Sequence, residues 1–143
     1  MKVRKLRFAI TGSVGLVLHK PNFGEVYGPI HDCDIFIDKE KQSLALSVQI
    51  LWDEDWSVSV WGQEVLPPYK YDLLKGKIYL RGYKEGHQVD ITYEYDESIA
   101  GNVVHDIKVI EGWPVFKEQC ILKQKLTRGH AKDLLALEKY LAV

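Results

Sequence analysis

Residues 30–37, IHDCDIFI, place Asp32 and Asp34 one residue apart inside an apolar run. Carboxylates are poor strand formers and are seldom buried without partners. Strand alternation resolves the conflict. It sends Cys33, Ile35 and Ile37 to one face and Asp32 and Asp34 to the other. The chain is therefore expected to build a sheet in which this strand has one core face and one face carrying two carboxylates.

A later stretch has the same design. In HQVDITYEY, residues 87–95, Val89, Ile91 and Tyr93 share one face, and Gln88, Asp90, Thr92 and Glu94 the other. If the two strands are neighbours, Asp32, Asp34 and Asp90 converge. Three carboxylates in one place repel each other unless protons or cations neutralise them. Mg²⁺ suits the need: it takes oxygen ligands and binds one or two carboxylates together with substrate phosphates. Two such ions can clamp the attacking and leaving oxygens of an in-line phosphoryl displacement.

A phosphate-binding element is expected ahead of the aspartates. KLRFAI, residues 5–10, reads as a first strand ending at Thr11-Gly12-Ser13, and SVGLVLHK as a helix with Val14, Val17 and Leu18 on one face. Gly12 has no Cβ, so its backbone can approach a ligand. Ser13 can cap the helix and offer a hydroxyl. The helix start adds free N–H groups.

Other segments complete the plan. PNFGEVYGPI, rich in Pro, Gly and Asn, reads as a loop. Residues 39–52 fit both periods, but their length and the Lys-Glu-Lys-Gln opening favour a helix with Leu44, Val48, Leu51 and Trp52 on one face. WSVSVWG alternates as a strand, and PPYKYDLLKG is a connector. KIYLRGY and HQVDITYEY form a hairpin about Lys84-Glu85-Gly86. NVVHDIKVIEGWPVF supplies one or two strands. From Lys117 the pattern is helical, with Leu134, Leu137 and Leu141 as the stripe of the last helix. The expected fold is a single α/β (α+β) domain over 1–143, a mixed sheet flanked by helices with a helical C-terminus.

Strand–Gly-Ser–helix, then Asp-x-Asp, then a lone Asp in a later strand resembles the polymerase-β-type nucleotidyltransferase superfamily. It is most similar to its small single-domain prokaryotic members. The segment from Val109 to Leu141 is also similar, through Lys125, Arg128, Lys132 and Asp133. The resemblance implies the nucleotidyltransferase fold and transfer of a nucleoside monophosphate to an acceptor that the sequence does not name. By it, Gly12 and Ser13 contact the triphosphate, ATP in the first instance. Asp32, Asp34 and Asp90 hold two Mg²⁺ ions, Asp90 also helps activate the attacking hydroxyl, and Lys125 is a cation near the phosphates. Small members often dimerise or pair with a helical partner protein, so association is expected here.

The chain also departs from the pattern. Nineteen positions separate Ser13 from Asp32, more than is usual; His31 stands where many members have Ser or Thr; and the arginine that often precedes the motif is missing. These departures favour an alternative: a catalytically silent binding or regulatory module, such as one half of a toxin–antitoxin pair. A drug-modifying transferase resembling small aminoglycoside adenylyltransferases is a weaker option, because no acceptor-binding carboxylate can be assigned.

Nineteen Lys and Arg against twenty Asp and Glu give a net charge of −1, so no global basic field is available for a long nucleic acid. Cys33 and Cys120 have no metal-like spacing, which suits a reducing, cytoplasmic setting. Lys2, Arg4, Lys5 and Arg7 ahead of FAITGSVGLVL mimic a secretory leader. No small-x-small site follows and polar residues interrupt the run, so a first strand and helix are expected instead. No run is long enough to span a bilayer. His31 adjoins the motif and could touch substrate, with packing or capping the more expected role, and His19, His87, His105 and His130 are expected on the surface or in loops. The tryptophans are expected at buried or interface positions, Cys33 in the core, and Lys123, Lys125, Arg128 and Lys132 on a solvated helix face.

Overall fold

A computed structural model describes residues 6–143. Lys2, Arg4 and Lys5 of the basic start lie outside the described residues. In chain order the elements are β1 (Phe8–Thr11), α1 (Gly12–His19), α2 (Pro21–Tyr27), β2 (Asp32–Ile37) and α3 (Lys41–Asp53). Then come β3 (Ser57–Val60), β4 (Gln63–Glu64), α4 (Tyr71–Leu74), β5 (Tyr79–Lys84), β6 (His87–Thr92) and α5 (Glu97–Ala100). The chain closes with β7 (Ile107–Ile110), β8 (Trp113–Phe116), α6 (Glu118–Arg128) and α7 (Ala131–Leu141).

One mixed sheet of eight strands runs in the order β4-β3-β5-β6-β2-β1-β8-β7. The β2–β6 and β1–β8 pairs are parallel, and the other five are antiparallel. Two apolar clusters hold the helices to it. Leu16 of α1, Phe23 of α2, Ile121 of α6 and Tyr140 of α7 pack with Val115 and Phe116 of β8. Leu44 and Val48 of α3 and Leu74 of α4 pack with Val58, Leu80 and Ile91. The mixed α/β plan, the hairpin, the helix over 41–53 and the helical C-terminus agree with the sequence reading.

Several local expectations are overturned. PNFGEVYGPI is not simply a loop, because Pro21 to Tyr27 form α2. Proline suits the first helical position, since its missing N–H has no intrahelical partner there. Gly28, at φ +100°, then ends the helix. The connector PPYKYDLLKG contains the short helix α4. Leu134, Leu137 and Leu141 are not the inward stripe: Leu141 is 69% exposed, and Asp133, Ala136 and Tyr140 face inward instead. That set has the same three-and-four spacing. Arg128 and Lys125 pair with Asp133, and Tyr140 meets Phe23 edge-on with ring centroids 5.5 Å apart.

In α1 the fully buried side is Gly12, Gly15 and Leu16, with Val14, Val17 and Leu18 packed at its margin. His19 is not a free surface residue, for its Nε2 donates to the Phe116 carbonyl at 2.7 Å. Trp52 is half-buried and donates to the Val65 carbonyl at 3.2 Å, whereas Trp61 and Trp113 sit mainly in solvent. Among the described residues, no helix is long and apolar enough to cross a membrane.

Candidate functional site

Register sets the site. Thr11 of β1 pairs with Asp34 of β2, Asp34 with Asp90 of β6, and Asp90 with Arg81 of β5. Residues directly opposite on adjacent strands project to the same face. A single row therefore carries Thr11, Asp34, Asp90 and Arg81 across four strands. Asp32, two residues before Asp34, joins them. One carboxylate oxygen from each of Asp32, Asp34 and Asp90 lies within 4.8 Å of the others. The convergence expected from alternation is present.

The three acids differ in their surroundings. Asp90 is already partnered: Arg81 Nε donates to its Oδ1 at 2.8 Å and Gln88 Nε2 to its Oδ2 at 3.1 Å. No hydrogen bond from a described residue reaches the Asp32 or Asp34 carboxylate. Burial, then the charges of Asp90 and Asp32, push the Asp34 carboxyl up to about 6, with Arg128 and Lys125 pulling the other way. Cys33 is half-buried against the core, and burial plus the same three aspartates push its thiol up to about 11. At neutral pH it is an inert small apolar residue, as expected.

Gly12 and Ser13 stand beside the acids. Gly12 adopts φ +66°, and a Cβ there would come 2.5 Å from Asp34 Oδ2. Glycine is needed both for the backbone conformation and for the space. Ser13 does not cap α1 as expected. The helix opens one residue earlier, at Gly12, and its N-cap is Thr11. Ser13 is the second helical residue, and its hydroxyl accepts from Lys125 Nζ at 3.2 Å.

Lys125 corrects the sequence reading. It is not on a solvated helix face but only 5% exposed. Asp133, at 1%, lies 3.5 Å from Lys125 Nζ and accepts two bonds from Arg128, at 2.8 and 2.6 Å. Burial lowers the Lys125 pKa, and Asp133 partly restores it. Burial alone would raise the Asp133 carboxyl, but the Arg128 bonds and the two cations hold it below the usual range. Lys123 and Lys132 are exposed, as expected.

Ser13, Asp32, Asp34, Lys125, Arg128 and Lys132 line a polar cavity of about 200 Å³. The end of α2 and the residues after it also reach this cavity, through Tyr27, Ile30 and His31. His31 is thus exposed at the cavity rather than packed. A neighbouring polar cavity of about 360 Å³ holds Asp90, Arg81 and Gln88 beside the other two aspartates. Sequence reasoning assigned no role to Arg81 or Asp133. Arg81 had a signal: pairing inward from Lys84 and His87 along the hairpin brings it opposite Asp90.

The donor set fits a hard divalent cation. Asp32 and Asp34 offer carboxylate oxygens with no hydrogen-bond partner among the described residues, and a cation would stabilise the ionised Asp34 that burial, then the Asp90 and Asp32 charges, disfavour. Asp90 can join once Arg81 yields. Comparisons with protein-family models, curated proteins and solved structures return no match.

Proposed function

We propose that this chain is a small Mg²⁺-dependent nucleotidyltransferase that moves a nucleoside monophosphate from a triphosphate, ATP in the first instance, to an acceptor. The observation that carries the reading is the meeting of Asp32, Asp34 and Asp90 within 4.8 Å, beside a Gly12-Ser13 helix start backed by Lys125. Bound Mg²⁺ would neutralise phosphate charge and orient the reacting oxygens. Asp32 and Asp34 would hold the ions, with Asp90 as the third carboxylate. Ser13, the first-turn N–H groups of α1 and Lys125 would receive the phosphates. Catalysis on such a site is positioning and charge stabilisation. Titrating Mg²⁺ and ATP into wild type and Asp32→Asn/Asp34→Asn tests it. Tight binding to wild type alone is expected, and equal weak binding by both proteins overturns the site.

A second reading has its own support. Arg81 already occupies Asp90, as an internal cation would in a site that no longer takes two ions. On that reading the chain is a silent binding or regulatory module, alone or with a helical partner. Transfer of labelled nucleotide to any protein, RNA or small molecule rules it out.

A further inference from the structure

A third cavity, of about 320 Å³, is lined by Asp34 but not by His31 or Lys132. Its walls are mainly apolar: Phe36 of β2, Ile78, Tyr95, and Ile99 and Ala100 of α5. The volume suits a small organic ligand, for which pockets start at about 300 Å³. This cavity shares Asp34, Lys125 and Arg128 with the smaller polar one. Asp34 thus belongs to both a polar chamber of mixed charge and a mainly apolar one.

Two further features describe the occupant. Glu94 and Asp96, both exposed, add carboxylates to the lining, while Lys125 and Arg128 are engaged by Asp133. The net field disfavours an anion. Tyr95 lines the cavity, and its hydroxyl is buried without a hydrogen-bond partner among the described residues. Such a group costs about 1–3 kcal/mol unless something bonds to it. That hydroxyl is closed even to water, so a ligand in the cavity meets the rest of Tyr95 and not its hydroxyl.

We propose that this apolar cavity is an acceptor site for a small neutral or cationic organic molecule, one with an apolar ring and a nucleophilic hydroxyl or amine. The role of acceptor rests on the nucleotidyl-transfer reading; the binding site does not. In-line displacement puts the attacking and leaving oxygens on opposite sides of phosphorus. With the leaving pyrophosphate drawn toward Ser13 and Lys132, which line the polar cavity and not the apolar one, the nucleophile would come from the apolar cavity that shares Asp34 with it. The acceptor oxygen forms a bond to the α-phosphorus of the triphosphate. The bond from that phosphorus to the bridging oxygen breaks, and its electron pair leaves with pyrophosphate. The hydroxyl proton passes to a carboxylate of the cluster.

The test uses the full chain labelled at isoleucine δ1 methyls and one ring in three charge states: benzyl alcohol, benzylammonium and benzoate. The Ile78 and Ile99 methyls are expected to shift with the first two, and benzoate to bind about tenfold more weakly. Thr127 is exposed and lines the cavity, so Thr127→Trp should weaken both favoured probes about tenfold without moving the buried Ile121 methyl. No shift at Ile78 and Ile99, or benzoate binding as well as the alcohol, overturns the site. Nucleotide transfer without ring binding does the same and spares the nucleotidyl-transfer reading. Ring binding with no transfer to a panel of alcohols and amines overturns that reading, and the acceptor role with it.

Discussion

A Cβ on residue 12 would lie 2.5 Å from Asp34 Oδ2, so the glycine after β1 and the aspartate on β2 are packed as one unit. Residue 12 also sits at φ +66°, where any side chain is strained. Gly12→Ala therefore has to shift the backbone, the carboxylate or both. The expected loss of stability is about 1–3 kcal/mol, read from the urea midpoint. Mg²⁺ affinity should fall with it, because Asp34 is the carboxylate displaced. Wild-type affinity for Mg²⁺ in this variant would show that Asp34 is not a ligand.

Arg81 competes with the proposed metal for the Asp90 carboxylate. The Arg81–Asp90 ion pair is 2.8 Å long, and Arg81 is 45% exposed, so water screens it. Arg81→Ala frees Asp90 and removes a positive charge from a crowded acid cluster. Mg²⁺ affinity, measured by calorimetry at low salt, should rise by a few fold, roughly 1 kcal/mol. Unchanged or weaker binding would place Arg81 among the groups that support the site rather than block it.

That pair shows how far the sequence could be read. Alternation alone put Asp32, Asp34 and Asp90 on polar faces, because a period of two depends only on the strand itself. Which strands are neighbours is a long-range fact, and the β2–β6 pairing had to be assumed. The hairpin register was within reach, and counting it out finds Arg81. The setting of Asp133 was not. The resemblance marked Asp133 as a matched position but not its burial, which depends on two cations from α6, folded back by the left-handed turn at Gly129. Composition misled at Pro21, where a helix-starting proline reads the same as a loop proline.

Asp34 titrates near neutrality, and the sign of its effect follows. Its carboxyl is raised from 3.8 to about 6, by burial first and then by Asp90 and Asp32. Between those values the folded chain binds more protons than the unfolded one. The contribution of Asp34 to metal-free stability therefore falls as pH rises from about 4 to 6, by on the order of 1–3 kcal/mol, and stays lower above that. Asp34→Asn should flatten this part of the profile. Mg²⁺ affinity runs the other way and weakens as pH drops through 6. Urea midpoints across the range, with and without Mg²⁺, measure both. A metal-free profile identical in wild type and Asp34→Asn would show that Asp34 is not the group responsible.

Asp133 and Lys125 should separate folding from binding. Asp133→Ala removes the ion-pair partner of the buried Lys125, leaving it the Ser13 hydroxyl and the weaker influence of the Asp34 charge. Removing one partner of a buried pair typically costs about 3–5 kcal/mol. Lys125→Met removes the charge that needs compensation, keeps most of the volume, and leaves Asp133 with its two Arg128 bonds. Its stability should stay within about 1 kcal/mol of wild type. The functional effects should divide differently. Lys125→Met takes a charged donor from beside Ser13, so ATP should bind about tenfold more weakly to a protein that is otherwise well folded. Urea melts and ATP titrations on the two variants are enough. If Lys125→Met loses stability and keeps its ATP affinity, the lysine is a structural counter-ion to Asp133, and the phosphate contacts must come from Ser13, Lys132 and the start of α1.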